Sequence, residues 1–288
     1  MSRLTARAAT LAHGFTLRGA TRSTSVAYTL FGIPVTFDLS FAFVAALATW
    51  TFADVVLPSV APGRSAPAYW TGAGAGTLLA LMSIVVHELG HAIVARRVGL
   101  GVRGMALSLF GGATELSGAP RTPGAAFVIA AAGPIASLVL AVASAIAHVV
   151  LVESDADPLA AAIPALAAIA NLAIAALNLL PGLPLDGGQV LSATVWRITG
   201  RRADGVRVAS AAGRGLAVLI GALSVIGSAS GDAGLALWFA LIAMVMWAHA
   251  SDAAETRSGV IVAPESRDAT RVGVGVAAIR RGRTTRAA

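Results

Sequence analysis

The sequence predicts an all-α membrane protein of about six transmembrane helices, with a small membrane-associated β element between spans two and three. Three observations carry that expectation. Hydrophobic side chains make up 57% of the 288 residues and charged ones 12%, at a mean hydropathy of +0.79, whereas a soluble domain keeps about a quarter of its residues charged. Apolar runs long enough to cross a bilayer recur along the chain. Between the second and third of them, GLGVRGMALSLFGGATELSGAPRT (99–122) is too interrupted for a helix.

In order, residues 1–25 are rich in Arg, Ser and Thr and hold no acid. They read as a basic N-terminal arm, with a targeting segment or an over-extended start as the other readings. FGIPVTFDLS (31–40) alternates around Ile33, Val35 and Phe37, the pattern of a short strand at the membrane edge. The first span covers roughly Leu39–Val56; the small-residue run at 45–48 leaves a cleaved signal peptide as a rival. The second, about 71–95, stops at Arg96 and Arg97. In 99–122, Met105, Leu107 and Leu109 alternate before Gly111 and Gly112, which predicts strands around a turn or bulge. Spans three and four fall near 124–152 and 159–180, joined by an acidic link of Glu153, Asp155 and Asp157. Pro134 is expected to kink span three, and Pro164 is better tolerated in the first turns of span four. A Pro/Gly loop and an Arg-bearing amphipathic stretch occupy 181–208, and spans five and six fall near 211–229 and 234–250. The division is thus a basic arm (1–25), a polytopic domain (26–250) and an Arg-rich tail (251–288) expected to be disordered.

Charge orients the chain. Every basic residue is Arg. With six spans, the loops numbered alternately and Arg214 at the start of span five counted with the loop before it, all of them except Arg64 fall on one side. That side is then cytoplasmic, and with it both termini and the end of span two beyond His91. The net charge of +7 therefore suggests no nucleic-acid partner; it suits a multi-pass protein of the cell membrane whose basic tail meets anionic lipid. The chain has no cysteine, so a transition metal would have to be held by His and carboxylate.

Chemistry concentrates in span two. His87, Glu88 and His91 are the only ionisable side chains in TGAGAGTLLALMSIVVHELGHAIVA (71–95). Ionisable groups at membrane depth cost about 2.5 kcal/mol or more each unless compensated. Two histidines four apart lie on one helix face, about 6 Å apart along the axis, and H-E-x-x-H lets them share a metal with the glutamate beside its open position. A catalytic zinc usually takes a third protein ligand. Most other carboxylates lie on the far side of the membrane or in loops away from the motif. Asp186, in NLLPGLPLDGGQV (178–190), follows span four on the same face as the motif. Pro181 and Pro184 end that helix, and Gly187 and Gly188 would turn the carboxylate inward. An ordinary Pro/Gly turn with a helix-capping Asp stays open as the alternative. His148 and His249 read as packing or interfacial residues.

HELGH (87–91) and NLLPGLPLDGG (178–188) together resemble the two signatures of the site-2 protease family of intramembrane zinc metalloproteases. LFGGATEL (109–116) and AAGPIASL (131–138) are similar to that family's strand loop and its A-G-P segment. The resemblance covers roughly 27–250 and is of the prokaryotic type without PDZ or CBS domains. It implies one Zn²⁺ per chain held by His87, His91 and Asp186, with Glu88 catalytic and Asn178, eight residues before the aspartate, near the active site. The implied reaction is regulated intramembrane proteolysis. Zinc-bound water is the nucleophile, Glu88 the general base, and the substrate a single-span membrane protein such as a membrane-held regulator. The 105–116 stretch is expected to offer a strand edge to an unwound substrate, with a rigid re-entrant plug as the alternative. Two other classes compete: a zinc or divalent-metal transporter, and a catalytically inactive membrane scaffold.

Overall fold

The computed structural model describes residues 26–108, 111–230 and 233–258; the basic arm and most of the Arg-rich tail lie outside them. Strand β1 (Val26–Leu30) turns into β2 (Ile33–Phe37) through Phe31 and Gly32, both at positive φ (51° and 71°), as a two-residue hairpin of the primed type demands. Asp38 then caps α1 (Leu39–Thr51), accepting the Ser40 N–H at 2.8 Å. A π-helical segment (Phe52–Val56) and α2 (Leu57–Val60) complete the first span. Next come α3 (Ala66–Arg97), β3 (Val102–Ser108), β4 (Gly111–Leu116), α4 (Pro123–Glu153), α5 (Pro158–Asn178), α6 (Asp186–Thr199), α7 (Arg202–Ala229) and α8 (Ala233–Ser258).

Among the described residues, five helical segments are long and apolar enough to cross a membrane: Leu39–Val60, Ala66–Arg97, Pro123–Glu153, Pro158–Asn178 and Arg202–Ala229. The sixth expected span falls on α8, which carries a shorter apolar stretch, Phe239–Ser251. Large apolar side chains are exposed along these helices, for example Ile135, Val139, Val142 and Ile146 on α4. Their spacing makes a stripe on one helix face, the outward surface of a bundle solvated by lipid. The amphipathic stretch expected after the Pro/Gly loop within 181–208 divides. Most of it is α6, and α7 begins at Arg202, nine residues before the expected start of span five. Pro134 sits inside α4, which continues through it without a break.

The β element is larger than the sequence suggests. Its four strands run in the order β1-β2-β3-β4, so half of it comes from before the first span. β2 pairs in parallel with β3 (Val35↔Met105, Phe37↔Leu107), and β3 pairs antiparallel with β4 (Met105↔Thr114, Leu107↔Gly112). Strand β3 is therefore interior. The free edge on this side is β4, and Leu107, expected at a docking edge, is instead buried in the core. Ile33, Val35, Met105 and Leu107 pack with Phe41 of α1 and Val85 and Ala92 of α3, which fixes the sheet against the second span next to the H-E-x-x-H turn.

Polar contacts mark the two ends of the bundle. The Arg96 guanidinium donates to the Phe31 and Gly32 carbonyls at 2.7 and 3.0 Å, tying the β1–β2 turn to the end of α3. At the opposite end, Arg64 pairs with Asp157 at 3.0 Å, joining the α2–α3 and α4–α5 loops. That pair is partly exposed, so it contributes about 1 kcal/mol or less. All four strands, the C-terminal end of α3 and the turn before α6 thus gather at one end.

Candidate metal centre

The last third of α3 carries His87 and His91 one turn apart, with ring centroids 5.0 Å apart. Both rings face α4 and the first turn of α6. The Asp186 Oδ2 lies 3.1 Å from His87 Nε2 and 3.2 Å from His91 Nε2, and the two Nε2 atoms are 3.3 Å apart. The three atoms form a nearly equilateral triangle. A tetrahedral ion with bonds of about 2.0–2.1 Å holds its ligand atoms about 3.3–3.4 Å from one another. These side chains therefore stand where three ligands of one divalent ion would stand. All three residues are buried, and among the described residues they are the one His/Cys/Asp/Glu group with this geometry. Two imidazoles and a carboxylate suit a borderline transition metal such as zinc rather than calcium or magnesium.

The partner of its outer nitrogen fixes the tautomer of His91. His91 Nδ1 lies 2.7 Å from the Ile129 carbonyl oxygen, which can only accept, so Nδ1 carries the proton and Nε2 offers its lone pair to the centre. His87 Nδ1 lies 2.9 Å from Ser137 Oγ, and Ser137 is fully buried on α4. Partners of this kind orient metal-binding imidazoles and raise their basicity. Room for the cluster comes from a missing side chain. A Cβ built on Gly133 would lie 2.6 Å from His87 Nε2 and overlap His91 Nε2 as well. The α4 backbone can pass over both rings only because residue 133 is glycine.

Asp186 is the first residue of α6. The capping position is Leu185, with no side-chain cap, so the aspartate serves the histidines and not the helix end. Gly187 and Gly188 differ from their expected role. Neither has positive φ; they lie in the first turn of α6, where a Cβ would strike the backbone at Leu179 and Gly182. Close packing, not a turn, requires them, and it presses the start of α6 into the bundle.

Glu88 stays outside the donor triangle. Its carboxylate accepts the Thr114 hydroxyl at 2.8 Å, and a Cβ on Gly112 would overlap its side chain. Both contacts come from β4, so the edge strand holds the glutamate in place. Asn178, the last residue of α5, donates from Nδ2 to the Ile174 carbonyl at 3.0 Å. Among the described residues it has no hydrogen bond to the cluster. His148 donates to the Ala161 carbonyl and His249 to that of Val245, both far from the triangle along the chain. Thr114, Gly133 and Ser137 lie in the two segments that the resemblance marks, 109–116 and 131–138, but the sequence reading singled out none of them. One signal was available: Gly133 and Ser137 stand four apart on α4, small or polar on one face of an apolar helix.

The family model described as peptidase family M50 matches residues 75–157 and 153–222. Rip3 of Mycobacterium tuberculosis is 37% identical over 214 residues, 73% of this chain and 53% of its own length. The Synechocystis protein sll0528 is 36% identical over 205 residues, 68% of this chain and 52% of its own. Both carry zinc-metalloprotease names, and the chain spans about half their length. Among solved structures, the site-2 protease of Methanocaldococcus jannaschii aligns with a TM-score of 0.53 over 80% of this chain and 95% of that one, at 22% identity. That likeness is one of fold.

Proposed function

The chain belongs to peptidase family M50, and from that premise we propose that it is an intramembrane zinc metalloprotease that cuts a peptide bond in or near the transmembrane segment of another membrane protein. The observation that carries this reading is the buried His87–His91–Asp186 triangle with Glu88 beside it on the same helix. Donors clustered around one point suit a resident ion. A transporter would spread its ligands along a path through the bilayer.

Zinc held by His87, His91 and Asp186 would supply Lewis acidity and allow water to act as a nucleophile near neutral pH. Glu88 accepts the proton of the attacking water and passes it to the leaving amine. Thr114 holds that carboxylate in one orientation, so the proton moves at a defined oxygen. A helical substrate hides its peptide bonds and must unwind first. The free edge of β4 offers backbone groups on which the unwound segment can add as a strand, and Thr114 on that strand brings such a segment beside Glu88. Asn178 can help hold the developing oxyanion only by turning its amide away from Ile174, so its part is secondary. The arginine distribution supports an orientation with both termini and the metal end cytoplasmic. A single-span regulator cut in regulated intramembrane proteolysis suits that arrangement.

The test is Glu88→Gln in proteoliposomes with a single-span substrate. Zinc content should stay at the wild-type level while cleavage falls about 10²–10⁴-fold, and a chelator should stop the wild type. Full cleavage by the Gln variant would remove the assignment.

A further inference from the structure

The two faces of β4 differ in what they meet. Gly112 and Thr114 face Glu88 on α3. By the period of two, Ala113 and Glu115 lie on the outer face of the sheet, and both are exposed. Across from Glu115 on β3 is Gly104, and along the same face of β4 its neighbours are Ala113 and Ser117. None of these offers a charge to a carboxylate. Arg103, exposed in the bulge before Gly104, makes no ion pair with it. The other carboxylates described at the metal end are committed. Asp38 caps α1, Glu88 accepts from Thr114, Asp186 joins the histidines, and Asp204 pairs with Arg201 and Arg207. Glu115 has neither a hydrogen bond nor an ion pair among the described residues.

We propose that Glu115 selects the substrate by pairing with a lysine or arginine that stands directly across from it on the added strand. The inference rests on the proposed addition of substrate to the β4 edge. The backbone gives the register. The Ser117 N–H donates to the Gly101 carbonyl at 2.8 Å, so Ser117 turns its polar groups toward β3, and alternation along an antiparallel strand turns those of Thr114 to the open edge. A substrate residue bonded there carries its side chain on the Thr114 face, beside Glu88. The next residue stands across from Glu115 and points outward with it. Strand β4 runs from Gly112, beside Glu88, to Ser117, beside Gly101 and just past the end of α3 at Arg97. The step from Thr114 to Glu115 therefore leads toward the arginine-bearing end, whichever way the substrate chain runs. At that end the flank of a single-span protein carries its own Lys and Arg, by the same rule that orients this chain. Opposite charges directly across a strand pair favour the pairing and like charges oppose it. Glu115 thus recognises the basic flank of a segment that has unwound at this end.

The probe is a series of designed peptides, each a single apolar span with one Lys moved residue by residue along the flank at the arginine-bearing end. They are presented in proteoliposomes to the full-length, zinc-loaded protein. One Lys position should give a kcat/KM about 2–5-fold above its neighbours, with the gain in KM. Glu115→Gln should erase that preference at unchanged zinc content, and Glu115→Lys should transfer it to a second series carrying Glu in place of Lys. A residue with a merely structural role would not exchange its preference with charge. No preference in the wild type, or the same preference in both variants, would overturn the role of Glu115 and leave the protease reading standing. Absence of cleavage throughout both series would overturn the two together.

Discussion

Two polar spots sit one turn apart on α3, and they are built on opposite plans. At His87 and His91 the outer ring nitrogens are bonded and the inner ones converge with Asp186 on one point. Space for the two rings comes from the side chain that Gly133 lacks. At Ser83 and Asn171 both amide protons are bonded, but the amide oxygen is left buried without a partner among the described residues. The first plan fixes directions and suits an ion with strict geometry. The second ties one helix to another through its donors and brings no set of ligand atoms to one point. Bilayer depth makes polar groups expensive to leave unpaired, and of these two spots the first has the converging ligand atoms that identify an occupant.

The contrast can be broken most severely at Gly133. Gly133→Ala puts a methyl group against both Nε2 atoms, so metal content by plasma emission spectrometry should fall to near zero and cleavage with it. Retained metal would mean that the α4 backbone yields easily and that the tight fit is incidental. Ser137→Ala removes one orienting partner and leaves the ligands. Metal affinity, titrated with a competing chelator, should fall about 10–100-fold. The smallest effect is expected at Thr114→Val, which frees the Glu88 carboxylate to rotate. Metal affinity should stay the same while kcat drops about tenfold, roughly 1.4 kcal/mol of transition-state stabilisation. Loss of metal in that variant would place Thr114 in the metal shell rather than on the base.

These residues also show what a linear reading can reach. His87, Glu88 and His91 were legible because a four-residue helical spacing is local. Asp186 was legible because the prolines around it end a helix at the right face. The sheet was only half legible. VAYTL (26–30) is too short to show a pattern, and the parallel pairing of β2 with β3 joins residues about 70 apart in sequence. Strand order is a tertiary property, so no periodicity could show that β4 and not β3 forms the edge. Gly133, Gly187 and Gly188 were obscured for another reason. In a chain with 31 glycines, one that admits a neighbouring helix or imidazole looks like any other, and Gly187–Gly188 read more naturally as a turn.

The most direct measurement is the metal shell itself, determined by X-ray absorption and metal stoichiometry on protein purified from membranes, wild type beside Asp186→Ala. One zinc per chain is expected, bound by two imidazole nitrogens and a carboxylate oxygen at about 2.0–2.2 Å, with zinc and cleavage both lost in the variant. Zinc at full stoichiometry in Asp186→Ala, or a wild-type shell without a carboxylate, would contradict the account.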